Sequence, residues 1–556
     1  MGKKNSISFC TSQPQKRFES SVEFCPCCQR LLKVEKSRDR RLVTLDSDER
    51  VTEVVKYCPV DGLRFVSESL RNATPYRSPY SYDLIVHIGR LRYSRHYQIS
   101  EIQDEIARDG PFIPRSSIQQ LCFRFLRYFI AVHLENLSLF AEYTWGQGGY
   151  VLQIDGSQNH GRGTLILVKD TISGMRLFAS RFPSENKEDL VPFLTYIKSL
   201  FGVPLFVIRD GGTGIVNALD EVFPDTYQVY CHFHFLRALG HALFDHYHKR
   251  FKKTIDKLGV KGKLSKLYRL VQKRLRKKQK QFVREVLEDL RELLEFVLTS
   301  SGEGLGYPFE ISVLRFYERC LAIEKPVQDL VRHCAKHYVL LKVLCDVQST
   351  LRLLHPPPAV RGKLHQDAKR ILEREKWFIK ARKALRWRNG PVPLSTQIQW
   401  NEKQLKKAHK GIDDFLAEIE SKDKGLKKSS SLAKGLCIIR DRFIEHKENL
   451  LAPNINIDTS RGKKVIKVER TNNGIEQDFR AIRRHARRLR GDKNVEGIIQ
   501  REGVGLLLLL NMEIPQYVQT VYGSWELMGK RFAKVSEQAL EHAELLLKGY
   551  NPWWAQ

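Results

Sequence analysis

The spacing of apolar residues changes character along the chain, and each change predicts a different kind of structure. Within residues 31–57, short apolar stretches alternate with charges, the period-two pattern of half-exposed strands. Residues 72–79, rich in Pro, Ser, Asn and Tyr, predict a linker. Three amphipathic helices follow. The first covers 82–91, and the second opens at Ser100, with Gln103 as its capping partner, and stops at Gly110. The third follows Pro114, repeats the capping pair with Ser116 and Gln119, and turns Ile118, Leu121, Cys122, Phe125, Leu126 and Phe129 to one face. A short helix, a Gly- and Pro-containing turn and a longer helix fit a helix-turn-helix, whose last helix would present Ser117, Gln120, Arg124 and Arg127 to a DNA groove. The plainer alternative is an ordinary three-helix unit.

From about Tyr150 the period shortens to that of strands. Segments 150–154, 164–168 and 175–180 predict a meander, then come a helix (187–201), a strand (204–208), a short helix (215–222) and a fifth strand (227–230) ending at Cys231. That order predicts an α/β core with a mixed five-stranded sheet. Between Phe235 and about Leu451 only helical periodicity remains, broken at 302–306, 355–358 and 389–393. A final basic helix carries Ile475, Phe479, Ile482 and Ala486 on its apolar stripe.

Charge narrows the class of partner. Among 556 residues, 94 are Lys or Arg and 63 are Asp or Glu, a net charge of +31. With 42% hydrophobic residues the chain can bury real cores, which excludes wholesale disorder. The longest apolar run, 503–510, is far short of the ~20 residues of a membrane span. The N-terminal residues lack an apolar signal region, and 11 cysteines, an odd count, predict a reducing compartment, here the cytoplasm. A polyanion, first of all nucleic acid, is the partner such a balance points to, solubility being the plainer reading. Between Lys249 and Lys280, 15 residues are Lys or Arg and only Asp256 is acidic, which suits either a solvated helix face or a surface that follows phosphates.

Three sets of residues carry candidate chemistry. Cys25 and Cys28 form a Cys-x-x-Cys knuckle, and Cys58 with Asp61 has the look of a second, as in a zinc ribbon whose thiolates would hold a structural Zn²⁺. Asp61 stands where a fourth Cys or His is expected; an aspartate oxygen, Cys27 or Cys10 are the alternatives. Asp155 and Asp210 each end an apolar strand and each precede a glycine. On neighbouring parallel strands both would project from one sheet edge, where α/β folds keep their sites. Paired carboxylates are hard ligands for two Mg²⁺ or Mn²⁺ ions, and such pairs drive phosphodiester chemistry. An aspartate before glycine is also an ordinary turn. Glu476 opens the last helix beside a stripe of Arg480, Arg483 and Arg487, either as a ligand next to bound phosphates or as a capping and ion-pairing residue.

The segments Ile154-Asp155-Gly-Ser, Ile208-Arg-Asp210-Gly-Gly, Cys231-His-Phe-His234 and Thr471-Asn-Asn-Gly-Ile-Glu476-Gln-Asp-Phe-Arg480 resemble those of DDE transposases with an RNase H-like core, above all the Mutator-like superfamily and related bacterial insertion-sequence transposases. The resemblance implies that Asp155, Asp210 and Glu476 form a catalytic triad binding two Mg²⁺ or Mn²⁺ ions. Cys231 and His234 match a Cys-x-x-His signature without an assigned role.

The expected organisation is then a zinc-ribbon-like module (1–72), a helix-turn-helix domain (80–137), the first part of the core (145–240), an all-helical insertion (241–465), the Glu-bearing end of the core (466–515) and a helical tail (516–556). The expected function is transposition: binding terminal inverted repeats in double-stranded DNA, hydrolysing a phosphodiester and transferring the freed 3′-hydroxyl. Arg480, Arg483, Arg484, Arg487 and Arg488 would hold the DNA backbone. A homodimer or higher assembly on DNA is expected, in a bacterial cytoplasm at the nucleoid and without membrane association. The alternatives are an inactive transposase-derived DNA-binding regulator, an RNase H-like nuclease and a basic scaffold.

Overall fold

The computed structural model describes residues 16–158, 161–299, 304–355, 358–386, 400–459, 462–491 and 494–549. Cys10 and the break at 389–393 lie outside them, as does part of the breaks at 302–306 and 355–358. The chain divides into two compact units, one of residues 1–228, 457–464 and 472–556, the other of residues 229–456 and 465–471.

The first unit begins with a small antiparallel ribbon. Strands β2 (Lys33–Val43) and β3 (Asp48–Tyr57) pair along their length, with β1 (Arg17–Phe18) and β4 (Arg64–Phe65) added to β3. The apolar content beneath the cysteine knuckles is slight, Leu32 packing with Cys25 and Cys58 and partly buried neighbours. Helix α1 (Glu68–Ala73), capped by Ser67, occupies the first part of the stretch expected to be linker.

Three helices follow at the expected places, α2 (Tyr82–Gly89), α3 (Ile99–Asp109) and α4 (Arg115–Glu135). Their starts differ from the expected caps: α4 is preceded by Pro114 with no side-chain cap bond, so Ser116 and Gln119 lie inside the helix and do not cap it. The capping acid of α3 is Glu101, whose carboxylate accepts from the Gln98 N–H at 2.6 Å, so the pairing sits two residues before the Ser100/Gln103 pair. Gln103 instead donates to the Ile113 carbonyl and ties the turn after α3. Helix α5 (Leu137–Gly146) then leads into the sheet.

The sheet has five strands, β5 (Val151–Gln158), β6 (Thr164–Asp170), β7 (Arg176–Phe182), β8 (Phe206–Arg209) and β9 (Gln228–Tyr230), in the order β7-β6-β5-β8-β9. The first three form the antiparallel meander, and β8 lies parallel to β5. Almost every residue of β5 to β8 is buried, the mark of a sheet covered on both faces. Alternation along β7 shows how. Phe178 and Phe182 meet Phe193 of α6 (Lys187–Phe201), while Arg181, one step out of phase, donates to the Ile499 carbonyl of a later helix. Helix α7 (Thr213–Val222) packs beside α6.

The second unit is helical: α8 (His232–Leu258), α9 (Val260–Leu275), α10 (Gln281–Leu298), α11 (Ser312–His333), α12 (Tyr338–Arg352), α13 (Pro358–Ala384), α14 (Glu402–Lys424) and α15 (Ser431–Leu450). Its core is a single cluster running from Tyr230 to Leu451. Arg470, one of the bulkiest fully buried side chains, lies over the Trp400 ring at 4.5 Å and donates to the Ala452 carbonyl. All fifteen cations of the 249–280 segment but Arg274 are exposed.

A short ribbon absent from the sequence reading, β10 (Ile455–Thr459) and β11 (Gly462–Ile466), precedes α16 (Asn473–Arg490). Helix α17 (Glu496–Leu509) contains most of the apolar run 503–510, used as a buried helix of the first unit's core. After α17 come α18 (Pro515–Val521), α19 (Met528–Phe532) and α20 (Glu537–Lys548). Among the described residues, no helix is long and apolar enough to cross a membrane.

Candidate metal centre

Strand register builds the centre. In the parallel pair, Gln153 stands beside Ile208, and two residues further along each chain come Asp155 and Asp210. Asp210 follows the end of β8, as the sequence predicts. Asp155 does not end its strand: β5 continues through Gly156 to Gln158, with Asp155 opposite Leu167 of β6. The Gly156 N–H donates to Asp155 Oδ1 at 2.8 Å, and the Gly212 N–H donates to Asp210 Oδ1 at 3.0 Å.

The third acid arrives on α16, and buried polar contacts fix where. Ile475, Phe479, Ile482 and Ala486 face the core, joined by His485 and Leu489. Just before the helix, Asn472 Nδ2 donates to the Ile154 carbonyl at 3.1 Å. Two residues after Glu476, Asp478 accepts from Lys169 Nζ at 3.0 Å and from Arg176 Nε at 3.1 Å, all three largely buried. Arg176 is itself held by Asn511, which accepts from its N–H and donates to its carbonyl. Glu476 is left partly exposed, with a carboxylate oxygen within 4.8 Å of one from Asp155.

The charges press on one another. Asp155 is 5% exposed, and its carboxyl is pushed well above the usual carboxylate range, first by burial, then by the charges of Asp210, Glu476 and Glu185. Glu185, in the turn between β7 and α6, is raised in turn by burial and by Asp210. The sequence reading missed Glu185; an acid in a Pro-Ser turn ahead of a helix cap carries no distinguishing signal. Asp155 and Glu476 are the two acids whose oxygens come within 4.8 Å of one another; Asp210 and Glu185 are not part of that group and act on Asp155 through their charge. Such oxygen donors suit a hard divalent cation, since a cation removes their repulsion without protonating them.

The arginines of α16 fall into two groups. Arg480 pairs with Glu476 at 3.3 Å, and Arg483 donates to Ser157 Oγ at 2.7 Å and to the Gln158 carbonyl at 3.1 Å. Arg484, Arg487 and Arg488 are exposed along the rest of the helix. On α4, Gln120 is exposed and Ser117 half-buried, but Arg124 donates to Ser78 Oγ, and Arg127 donates to the Leu540 carbonyl and pairs with Glu544 of α20. These two arginines are held by contacts inside the unit. Cys231 and His234 belong to the other unit, Cys231 as the buried residue preceding α8 and His234 in its first turn.

The ribbon holds a second candidate centre. Ligand atoms of Cys25, Cys28, Cys58 and Asp61 all lie within 4.8 Å of one another. Cys25 Sγ donates to Asp61 Oδ2 at 3.1 Å, and the Cys28 and Cys58 sulfurs are 3.4 Å apart. The hydrogen bond to Asp61 heads the causes that push the Cys28 thiol up to about 12. Cys27, the alternative fourth ligand, is exposed and not part of the group. Three sulfurs and one carboxylate form a donor set for a borderline-soft tetrahedral cation.

No family model matches the chain, and a search of curated proteins finds no match.

Proposed function

We propose that the chain is a DNA transposase with an RNase H-like core, in which Asp155, Asp210 and Glu476 hold two Mg²⁺ or Mn²⁺ ions. The observation that carries this reading is the meeting of carboxylates from distant chain segments at one edge of a parallel strand pair. Stability alone gives no reason to bury Asp155 against other acids, whereas a cation site does.

When bound, such a metal pair activates a water or a 3′-hydroxyl and stabilises the oxygen leaving phosphorus. The chain's own residues supply the rest. Asp155, in mid-strand, and Asp210, just past the end of the neighbouring strand, provide oxygens on a rigid base. Asn472 and the Asp478–Lys169–Arg176 cluster set the height and rotation of α16, and so the position of Glu476. Arg484, Arg487 and Arg488 continue from Glu476 along an exposed face, where they would grip successive phosphates. Hydrolysis and strand transfer are both in-line displacements at phosphorus, so one centre serves both. The ribbon, through a structural Zn²⁺ on Cys25, Cys28, Cys58 and Asp61, and helices α2 to α4 would recognise the terminal repeats. With Arg124 and Arg127 engaged inside the unit, direct reading by α4 falls to Ser117 and Gln120.

The reading is tested by incubating the full chain with a duplex from the DNA flanking its coding sequence and a supercoiled target plasmid in Mg²⁺. Covalent joining of the duplex 3′ end to the plasmid is the expected result. Specific binding without joining by the intact chain would favour a regulator instead.

A further inference from the structure

The run of cations that ends α8 and continues through α9 differs from the other cations of the helical unit. Elsewhere acids match many of the exposed cations, as in Arg284–Glu288, Arg332–Asp329 and Lys380–Glu418. Within 249–280, Lys249 pairs with Asp245 and Arg250 with Asp367. Among the described residues, none of the other 13, from Lys252 to Lys280, has a carboxylate partner. A face serving solubility alone works as well with both signs interspersed, whereas one of a single sign repels itself unless a polyanion lies along it.

The C-terminal end of that run carries a second feature. Arg274 Nη1 donates to the Val339 carbonyl at 3.2 Å, which brings the start of α12 beside the end of α9. The Phe282 ring, at the start of α10, stands 5.5 Å from His333 at the end of α11 and 6.2 Å from His337, the residue before Tyr338. Rings from the ends of three helices thus gather at one corner, and two of them are left open: Tyr338 is 80% exposed and Phe282 40%. Arg276, Lys277, Lys278 and Lys280 fill the connection between α9 and α10, directly before Phe282.

We infer that this corner of the helical unit binds single-stranded DNA, its cations following the phosphates while Tyr338 and Phe282 stack on the bases. A duplex turns its phosphates outward and keeps its base faces covered. The cations alone therefore suit either form, but the exposed rings reward only a strand whose bases are unstacked. The site lies in the helical unit and uses none of the residues of the acidic centre. Only the choice of DNA over RNA rests on the proposed function.

Fluorescence anisotropy of labelled oligo(dT), oligo(rU) and a duplex of equal length with the full-length chain, without added divalent metal, tests this. Tyr338→Ala is expected to weaken oligo(dT) binding by about 10–100-fold and to leave duplex affinity unchanged, and Tyr338→Trp to bind as wild type does. Replacing Lys277 and Lys278 by Gln is expected to lower the slope of log affinity for oligo(dT) against log salt by about 1.4. Circular dichroism confirms that each variant is folded. If the wild type does not bind oligo(dT), or if Tyr338→Ala binds it as wild type does or weakens duplex binding equally, the inference falls and the transposase reading stands. If oligo(rU) binds more tightly than oligo(dT), the partner is not DNA and the inference falls. Loss of nicking in variants of the acidic centre bears on that reading and leaves this one in place.

Discussion

The side-chain amide of Asn472 donates to the Ile154 carbonyl at 3.1 Å, joining the start of the Glu476 helix to the strand residue beside Asp155. Two acids remote in sequence are thereby held in one place by a neutral contact that touches neither. Asn472→Ala is expected to lower strand cleavage by about 10–100-fold, as loss of outer partners does at metal centres, with DNA affinity unchanged. Cleavage at the wild-type rate would show that the helix needs no such anchor.

The second anchor is ionic. Asp478 is buried between Lys169 and Arg176, and removing it leaves two cations without their buried counter-charge. Asp478→Ala is expected to cost about 3–5 kcal/mol in the first unit, read as a lower midpoint of its thermal unfolding. A change under ~1 kcal/mol would mean that water replaces the carboxylate, as it does at exposed pairs.

How much of this was legible beforehand differs by element. The positions of the strands and the stripe of α16 could be read because burial on both faces leaves unbroken apolar runs and burial on one face leaves a 3.6-residue rhythm. The order of the strands in the sheet could not be read. Asp155 and Asp210 could be read because an acid after such a run is conspicuous. Asp155 was misplaced at its strand's end, because Gly156 looks like a turn when it is in fact a seat for Glu185. Glu185, Asn472 and Asp478 take their roles from partners far away in sequence, which no local pattern encodes. Arg124 and Arg127 lie outside the apolar stripe of α4, and only the packed structure shows Ser78 and α20 bonding to them.

The acidic centre is expected to make stability depend on pH and, on the proposed reading, on metal. The Asp155 carboxyl is raised above its ordinary 3.8, so without metal the native state favours the proton. Its contribution is therefore fully present below about pH 3.8 and is lost as pH rises through the shifted value. Asp155→Asn is thus expected to be more stable than wild type in chelator, by about 0.5–2 kcal/mol, with the gap widening as pH rises from 5 to 8. Adding Mg²⁺ should stabilise wild type and not the variant. Identical melting of the two proteins at every pH, with and without Mg²⁺, would contradict this.

In the ribbon, zinc is expected at one ion per chain by elemental analysis. Because thiol protons must leave on binding, affinity should rise with pH. Cys25→Ser is expected to abolish binding, Asp61→Ala to weaken it about 10–100-fold, and Asp61→Cys to retain it. Undiminished zinc in Asp61→Ala would exclude Asp61 from the site.

The exposed cations Arg484, Arg487 and Arg488 are expected to act on DNA without regard to sequence. Replacing Arg487 and Arg488 by Gln should weaken binding to any duplex and lower the slope of log affinity against log salt by about 2. An unchanged slope would place the backbone contacts elsewhere, the exposed 249–280 segment first among them.

The central claim is that Asp155, Asp210 and Glu476 together hold the cations that cut DNA, and single-strand nicking of a supercoiled plasmid in Mn²⁺ tests it most directly. Nicking by the wild-type chain, lost on chelation and lowered at least ~10³-fold in each of Asp155→Asn, Asp210→Asn and Glu476→Gln at equal DNA affinity, is the predicted result. Nicking that survives in any one of the three variants, or that proceeds in chelator, would contradict it.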